Sequence, residues 1–455
     1  MNSHLKALIK NRLAWLIVIS ITVRLVYGLS YSPIMRKDSH DYYRIAKSLV
    51  SGDYTDYKAA YPPVYPLLIA ASGFDWNRVA WVQVAMGVGI AVLLYLIFSG
   101  QTGSNNIGFI LGLSYALNPS QLLFEFNFFS ETACTFFLVL TVYLFARLVT
   151  GKSSPHWKEL SLLGFSCSLC VLTRAQFELL PLIIAFFLVY HLKFTLGERI
   201  RKVGFFLAPA IILLGLWGGF NYKKIGQFVM SSELGFDLTN HTVKFIEYAP
   251  DRYEEIKQLL LGIREMKIKR HEDVEYAAMI ARPQLMRLLG LSYPETSKKM
   301  LEVSLATIQE KPLLYLKSVA HALIRFFKPT WYGHLLGIRP AIAKGGWLVK
   351  TIASSYCIFQ LFCMLVFLSF PVWWLIVPRY REIFRWDIVK VFIYVLVFST
   401  AIVQAIVEFV ENHRYKTSVE PFIICLSLLI IIKIISSRLP RRHVESRISD
   451  TEKIQ

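Results

Sequence analysis

The stretch WNRVAWVQVAMGVGIAVLLYLIFS, residues 76–99, decides the class of fold. Its only charge is Arg78, near one end. A helix needs about 20 apolar residues to cross the hydrocarbon core of a bilayer, and this run supplies them. Other stretches read the same way, and the expected spans are 13–31, 76–99, 106–124, 128–149, 159–174, 177–194, 203–220, 346–377, 388–410 and 419–436. The chain therefore reads as an all-α polytopic membrane protein of about ten transmembrane helices. The first span has the basic flank of a signal peptide but no small-residue cleavage site after it, so it is read as an uncleaved anchor.

Composition agrees. Of 455 residues, 55% are hydrophobic and 18% charged, with mean hydropathy +0.46. An average soluble protein carries roughly 25% charged residues. Disordered, collagen-like and disulfide-scaffold chains are excluded. The 50 Lys and Arg against 31 Asp and Glu give +19. In a soluble domain that excess points to nucleic acid; here it reflects cytoplasmic loops and anionic headgroups, so membrane lipids are the expected partners and nucleic acid is not. All six cysteines lie in apolar runs, and no structural disulfide is expected. Cys167 and Cys170 form a C-x-x-C on an embedded helix, a poor setting for redox or zinc chemistry.

Short basic loops fix the orientation, because Lys and Arg are retained in the cytoplasm. Lys6, Lys10, Arg12, Lys152, Lys158 and the basic clusters at 199–202, 379–385 and 438–442 all fall on one side. Both termini are then cytoplasmic, in a multi-pass protein expected in a bacterial inner membrane. The organisation is an N-terminal membrane module, 1–220, with a first outer loop at 32–75; an extracytoplasmic, partly helical insertion, 221–345; C-terminal spans, 346–436; and a cytoplasmic tail, 437–455. Outer connections this long usually carry function.

Within the insertion, 251–271, 296–310 and 312–327 read as helices. Lys317, His321 and Arg325, four apart, stack on one helix face, either as a headgroup-facing stripe or as a phosphate-binding edge. Asn240-His241-Thr242 is a glycosylation sequon facing outward in this topology, and Gly108 and Gly112 form a GxxxG packing motif.

The first outer loop has two readings. Asp38 or Ser39 suits a helix cap, Asp41 a first turn and Gly52 a helix end, with Tyr42, Ile45, Ala46, Leu49 and Val50 forming the apolar face of an amphipathic helix on the outer membrane surface. Capping needs only one such residue, however, and the turn concentrates Asp38, Ser39, His40 and Asp41, where a general base is plausible. Tyr61-Pro62-Pro63-Val64-Tyr65-Pro66 follows as a stiff, extended strap back to the membrane.

At this point the sequence resembles the GT-C class of membrane glycosyltransferases that use polyprenyl-phosphate sugars, including protein mannosyltransferases and lipid A aminoarabinose transferases. Asp38-Ser39-x-x-Tyr42-x-x-x-Ala46-x-x-Leu49-x-x-Gly52 is similar to the first-loop signature of that class, and Pro63-x-Tyr65-Pro66 to its return to the membrane. Ser130-Glu131, Thr173-Arg174, Asn221 with Gly226, and Arg414-Tyr415 follow in the same order. Two features depart from the pattern: Lys58 is the nearest cation before the strap prolines, and Ala175 rather than proline follows Arg174.

The resemblance implies transfer of a sugar from a polyprenyl-phosphate donor to a lipid, glycan or protein acceptor outside the cytoplasm, with Asp38 as base and Asp41 its nearest competitor. The leaving phosphate needs cations more than an acid. Arg174, Arg414, Lys58, Lys223, Lys224, His321 and Arg325 are the candidates, each also able to snorkel to headgroups. Arg24 lies inside an apolar span, where a charge faces the bundle interior or a partner. It is read as support for the site, with Glu131, Glu178 and Glu408 as candidate partners and His40 and Tyr42 as further supporting groups. No cofactor is certain; His40 with the loop carboxylates is a candidate divalent-cation site of unknown metal. The alternative is a transporter or flippase of a lipid-linked substrate, against which stand the lack of repeated halves and the few mid-membrane charges.

Overall fold

A computed structural model describes residues 11–30, 34–151, 154–191, 195–330 and 346–438. Lys6, Lys10, Lys152 and the tail beyond Arg438, used above for orientation, lie outside the described residues. Among those described there is no strand. The membrane module comprises α1 (Arg12–Ser30), α2 (Lys37–Ser51), α3 (Val64–Ala71), α4 (Trp76–Thr102), α5 (Asn105–Ala116), α6 (Pro119–Phe126), α7 (Glu131–Thr150), α8 (Trp157–Val171), α9 (Leu180–His191) and α10 (Leu196–Ile225). The insertion holds α11 (Leu234–Thr242), α12 (Glu254–Lys269), α13 (Ala277–Leu289), α14 (Tyr293–Glu310) and α15 (Pro312–Phe326). The C-terminal part holds α16 (Gly346–Ile376), α17 (Pro378–Ile383), α18 (Ile388–Val407), α19 (Asn412–Tyr415) and α20 (Glu420–Arg438).

Seven described helices are long and apolar enough to span a bilayer, or eight if the bent pair α5–α6 counts as one. The span expected at 106–124 bends by 54° between those two helices. Its cause is local: Pro119 occupies the first turn of α6, and the Asn118 side chain accepts from the backbone N–H of Ser120 and Gln121 at 3.0 and 3.1 Å, starting a new helix. The stretches at 159–174 and 177–194 form the shorter helices α8 and α9, of 15 and 12 residues, separated by the 3₁₀ turn Ala175–Phe177.

Lipid tails shelter apolar side chains from water as well as a neighbouring helix does, so the hydrophobic effect does not drive such helices together and close packing holds them. A Cβ at Gly108 or Gly112 would lie 2.8 Å from the carbonyl oxygens of Tyr95 or Ala91, so the GxxxG seats α5 directly on α4. A Cβ at Gly164 would overlap the Phe206 carbonyl oxygen, which fixes α8 against α10. The core joins early and late spans through Leu94, Leu138, Phe145, Phe392 and Leu426, with the rings of Phe145 and Phe392 4.4 Å apart.

Arg24 is fully buried, and its partner is none of the three carboxylates expected. It binds Glu125 of α6 with two bonds of 2.6 Å and donates to Ser20 Oγ at 2.6 Å, while Tyr115 OH donates to Glu125 at 3.3 Å. The kink at Asn118-Pro119 turns α6 so that Glu125 faces α1, a redirection that hydropathy does not reveal. A Cβ at Gly87 would strike the Glu125 carboxylate, so α4 leaves room for this pair.

The insertion has its own core of Phe236, Ile246, Leu260, Ala281, Met300 and Val303. Its expected helices at 251–271, 296–310 and 312–327 correspond to α12, α14 and α15. Asn240, His241 and Thr242 are buried, at 2%, 0% and 0% exposure, so the folded chain does not present the sequon at its surface.

Candidate functional site

The first outer loop forms α2 as its periodicity requires, burying Ser39, Tyr42, Ile45 and Ala46, and ends on Gly52 at φ 75°. Neither Asp38 nor Ser39 is the cap residue. Arg36 is, its N–H donating to Ser39 Oγ at 3.2 Å, while Ser39 Oγ donates to the Phe128 carbonyl at 3.1 Å. Asp38 therefore sits in the first turn with its carboxylate free for other partners. The proline strap is not extended throughout, since Pro63 already has helical angles (φ −81°, ψ −22°) and α3 begins at Val64, whose N–H donates to the Leu172 carbonyl at 3.0 Å. The chain after α10 pins the segment before the strap: Ser231 Oγ donates to the Ala60 carbonyl and Ser232 Oγ to that of Lys58, both at 2.6 Å. Tyr57 OH donates to Asn221 at 2.9 Å. Rings of Tyr61 and Tyr65 lie 4.5 and 4.8 Å from that of Tyr42, whose hydroxyl is 2.9 Å from Ser130 Oγ.

This scaffold leaves a cavity of about 680 Å³ between the first outer loop, the 3₁₀ turn after α8, the insertion and the segment before α20. Asp38, Asp41, Tyr42, Lys58, Arg174 and Arg414 all line it. Arg414 is the hub: its guanidinium bonds Asp38 and Glu411 at 2.7 and 2.9 Å and also binds Glu131. Arg174 shares Glu131 at 2.8 Å and donates to Ser130 Oγ at 3.3 Å. Aromatic faces back both arginines, Tyr415 at 4.9 Å from Arg174 and Phe129 at 4.5 Å from Arg414, which suits a partly desolvated guanidinium. Glu131 is 1% exposed and has no third partner on Oε2 among the described residues. Among the described residues Asp38 accepts through Oδ2 only, and its side chain lines the cavity. Burial opposes ionisation of Asp38, but the charges and hydrogen bond of Arg414, with help from Arg174, outweigh it and hold the carboxyl below its usual range. Asp41 pairs with Arg44 at 3.2 Å and Lys58 at 3.9 Å.

Other expected groups are elsewhere. Lys223 and Lys224 are exposed at the end of α10, with Lys224 over the Tyr54 ring at 3.8 Å. His321 is exposed, and Arg325 reaches the Val410 carbonyl at 3.4 Å and the Phe409 ring at 4.8 Å. None of these four lines the cavity, nor does exposed His40. Sequence reading overlooked Lys37, Glu233, Asp237, Arg282, Tyr293 and Glu411, all of which do. Arg282 pairs with Glu233 at 2.9 Å and receives no cue from composition; only its place on the buried face of α13 marks it.

Among the described residues no three His, Cys, Asp or Glu side chains converge as metal ligands, and His40, the imidazole expected beside the loop carboxylates, is exposed and does not line the cavity.

Residues 61–217 match the family model described as dolichyl-phosphate-mannose-protein mannosyltransferase. No curated protein matches the chain at a significant level. Among solved structures, the chain is similar to the Archaeoglobus fulgidus oligosaccharyltransferase in complex with Zn and sulfate, at 14% identity and TM-score 0.49, over 94% of this chain and 50% of that one. It is also similar to AglB from the same organism in complex with an inhibitory peptide and a dolichol-phosphate, at 12% identity and TM-score 0.48, over 95% and 52%. A third is ArnT from Cupriavidus metallidurans bound to undecaprenyl phosphate, at 11% identity and TM-score 0.39, over 93% and 78%. The chain thus spans about half the length of the archaeal enzymes.

Proposed function

We propose that the chain is an integral membrane glycosyltransferase that moves a sugar from a polyprenyl-phosphate donor to a lipid, glycan or protein acceptor on the extracytoplasmic side. The observation that carries this reading is the convergence of an ionised carboxylate, Asp38, and two guanidiniums, Arg174 and Arg414, at one cavity beside the membrane module. The motif order and the family-model match over 61–217 support it.

In this reaction the acceptor hydroxyl attacks the anomeric carbon, the bond from that carbon to the phosphate oxygen breaks, and the acceptor's proton passes to Asp38 Oδ1. The donor phosphate leaves with the bonding electrons, its growing charge met by Arg174 and Arg414. Both guanidiniums already have carboxylate partners, so the phosphate enters a site held in shape by Glu131 and Glu411. Lys37 and Lys58 add positive charge to the same cavity. Both termini are cytoplasmic and the insertion extracytoplasmic in this scheme, in a bacterial inner membrane. The transferred sugar is a hexose or a pentose.

Purified protein incubated with defined polyprenyl-phosphate sugars tests the proposal: release of free polyprenyl phosphate coupled to glycosylation of an acceptor supports it. Movement of lipid-linked sugar across a vesicle membrane without cleavage would instead support the flippase alternative.

A further inference from the structure

The reaction above leaves one part of the cavity without a task. Asp237 and Asn240 of α11 line it together with Glu408, just beyond the end of α18. Asp237 and Glu408 thus set two carboxyl groups in one wall of the cavity. Burial, with Glu408 and Glu233 nearby, raises Asp237 well above the usual range even though Arg282 opposes it. Burial likewise pushes Glu408 up to about 7, despite the N–H of Val410 and the amide of Asn240. Asn240 is 2% exposed and donates to the two Glu408 oxygens at 3.1 and 2.9 Å. Its own carbonyl oxygen, Oδ1, accepts nothing among the described residues.

A buried amide oxygen without a donor is a standing cost that a bound group can relieve. The wall therefore offers an unused neutral acceptor, Asn240 Oδ1, beside two carboxyl groups that burial biases toward their protonated, donating form. A phosphate or carboxylate would set acceptors against acceptors, and an ammonium has no lone pair for a carboxyl proton. Adjacent hydroxyls both donate and accept, and so answer all three groups.

We propose that Asp237, Asn240 and Glu408 form a subsite for the hydroxyls of a polyhydroxylated ring. The inference rests on the glycosyl-transfer reading, and the ring is either the donor's sugar or that of a glycan acceptor.

The test titrates the purified full-length protein, wild type and with Asn240→Ala or Glu408→Gln, against bare undecaprenyl and dolichyl phosphates, the same lipids carrying hexoses or pentoses, and a panel of free saccharides. Thermal melting reports folding, and Asp237→Asn replaces either variant that loses its transition. If the ring is the donor's, both variants bind a sugar-bearing lipid about tenfold or more weaker while bare-lipid affinity holds. If it is the acceptor's, affinity for a free saccharide falls instead and donor affinity is unchanged. Unchanged affinity for every sugar-bearing probe, with bare lipid still bound, overturns the subsite and leaves the transferase reading intact. Wild-type protein that binds no polyprenyl phosphate overturns both.

Discussion

Arg414 and Asp38 are 376 positions apart in the chain and 2.7 Å apart in space. Their pairing ties the first outer loop to the segment that leads into the last span, and Glu131 at the head of α7 closes the link through the same guanidinium. The fold thereby brings the proposed base and a proposed phosphate ligand together before any substrate arrives. Preorganisation of this kind avoids reorganising charged groups during reaction.

Replacing Asp38 by asparagine keeps its size and removes its capacity to take a proton. Turnover of a polyprenyl-phosphate sugar is expected to fall by on the order of 10²-fold or more, while donor binding and the melting transition persist. Asp41→Asn is the parallel control, since Asp41 pairs with Arg44 and Lys58 rather than with the arginine hub. Near wild-type transfer by a folded Asp38→Asn protein rules out Asp38 as base.

The ionisation of Asp38 has a pH signature. Its folded pKa is lowered from 3.8, so its pairing contributes stability above that value, and the contribution is lost as pH falls through the folded value. Melting temperatures of wild type and Asp38→Asn should differ near neutrality and begin to converge only as pH falls below 3.8. A gap that widens on acidification contradicts the pairing.

Arg174→Ala and Arg414→Ala should each weaken donor binding by roughly 1.5–3 kcal/mol, the range for a lost charge-assisted hydrogen bond. Arg414 also answers Glu131, Asp38 and Glu411, so its removal should lower the melting temperature more than that of Arg174. Binding to bare polyprenyl phosphate, measured below both melting transitions, separates the two effects. Equal donor affinity in wild type and both variants rejects the phosphate assignment.

Hydropathy made most of the spans legible, because a run such as 76–99 has few other uses. It placed one helix across 106–124 where there are two, although Asn118-Pro119 carries the signal of a cap and a first-turn proline. Asp38, Arg174 and Arg414 could be grouped only through the order of their motifs, since no local pattern shows that distant segments meet. Lys224 and Arg325 looked equally suitable by their expected depth, yet helix direction turns one onto Tyr54 and the other onto Phe409. Arg282 and Asp237 went unnoticed because, on amphipathic helices of a polar insertion, they resemble every solvated charge nearby.

Orientation can be checked independently of chemistry. The proposed topology sets the basic clusters at 199–202 and 379–385 opposite the insertion, and it predicts that a cysteine introduced near Glu254 reacts with an impermeant reagent from outside the cell membrane. Labelling of that position from the cytoplasmic face alone reverses the topology and removes the extracytoplasmic reaction.

The Arg24–Glu125 pair tests whether the kinked pair α5–α6 is held by charge or by shape. Both residues are fully buried, joined by two bonds of 2.6 Å, and Ser20 and Tyr115 satisfy further positions. Removing one partner strands the other away from water, at a cost of roughly 3–5 kcal/mol for buried pairs, whereas replacing both by apolar groups of similar volume is often neutral or stabilising. Arg24→Met alone should therefore lower the melting temperature sharply, and Arg24→Met with Glu125→Leu should recover most of the loss. Because the pair lies outside the cavity lining, the double variant should also retain donor binding. A double variant as unstable as the single one would mean that the ion pair itself, rather than the volume it fills, holds α6 against α1.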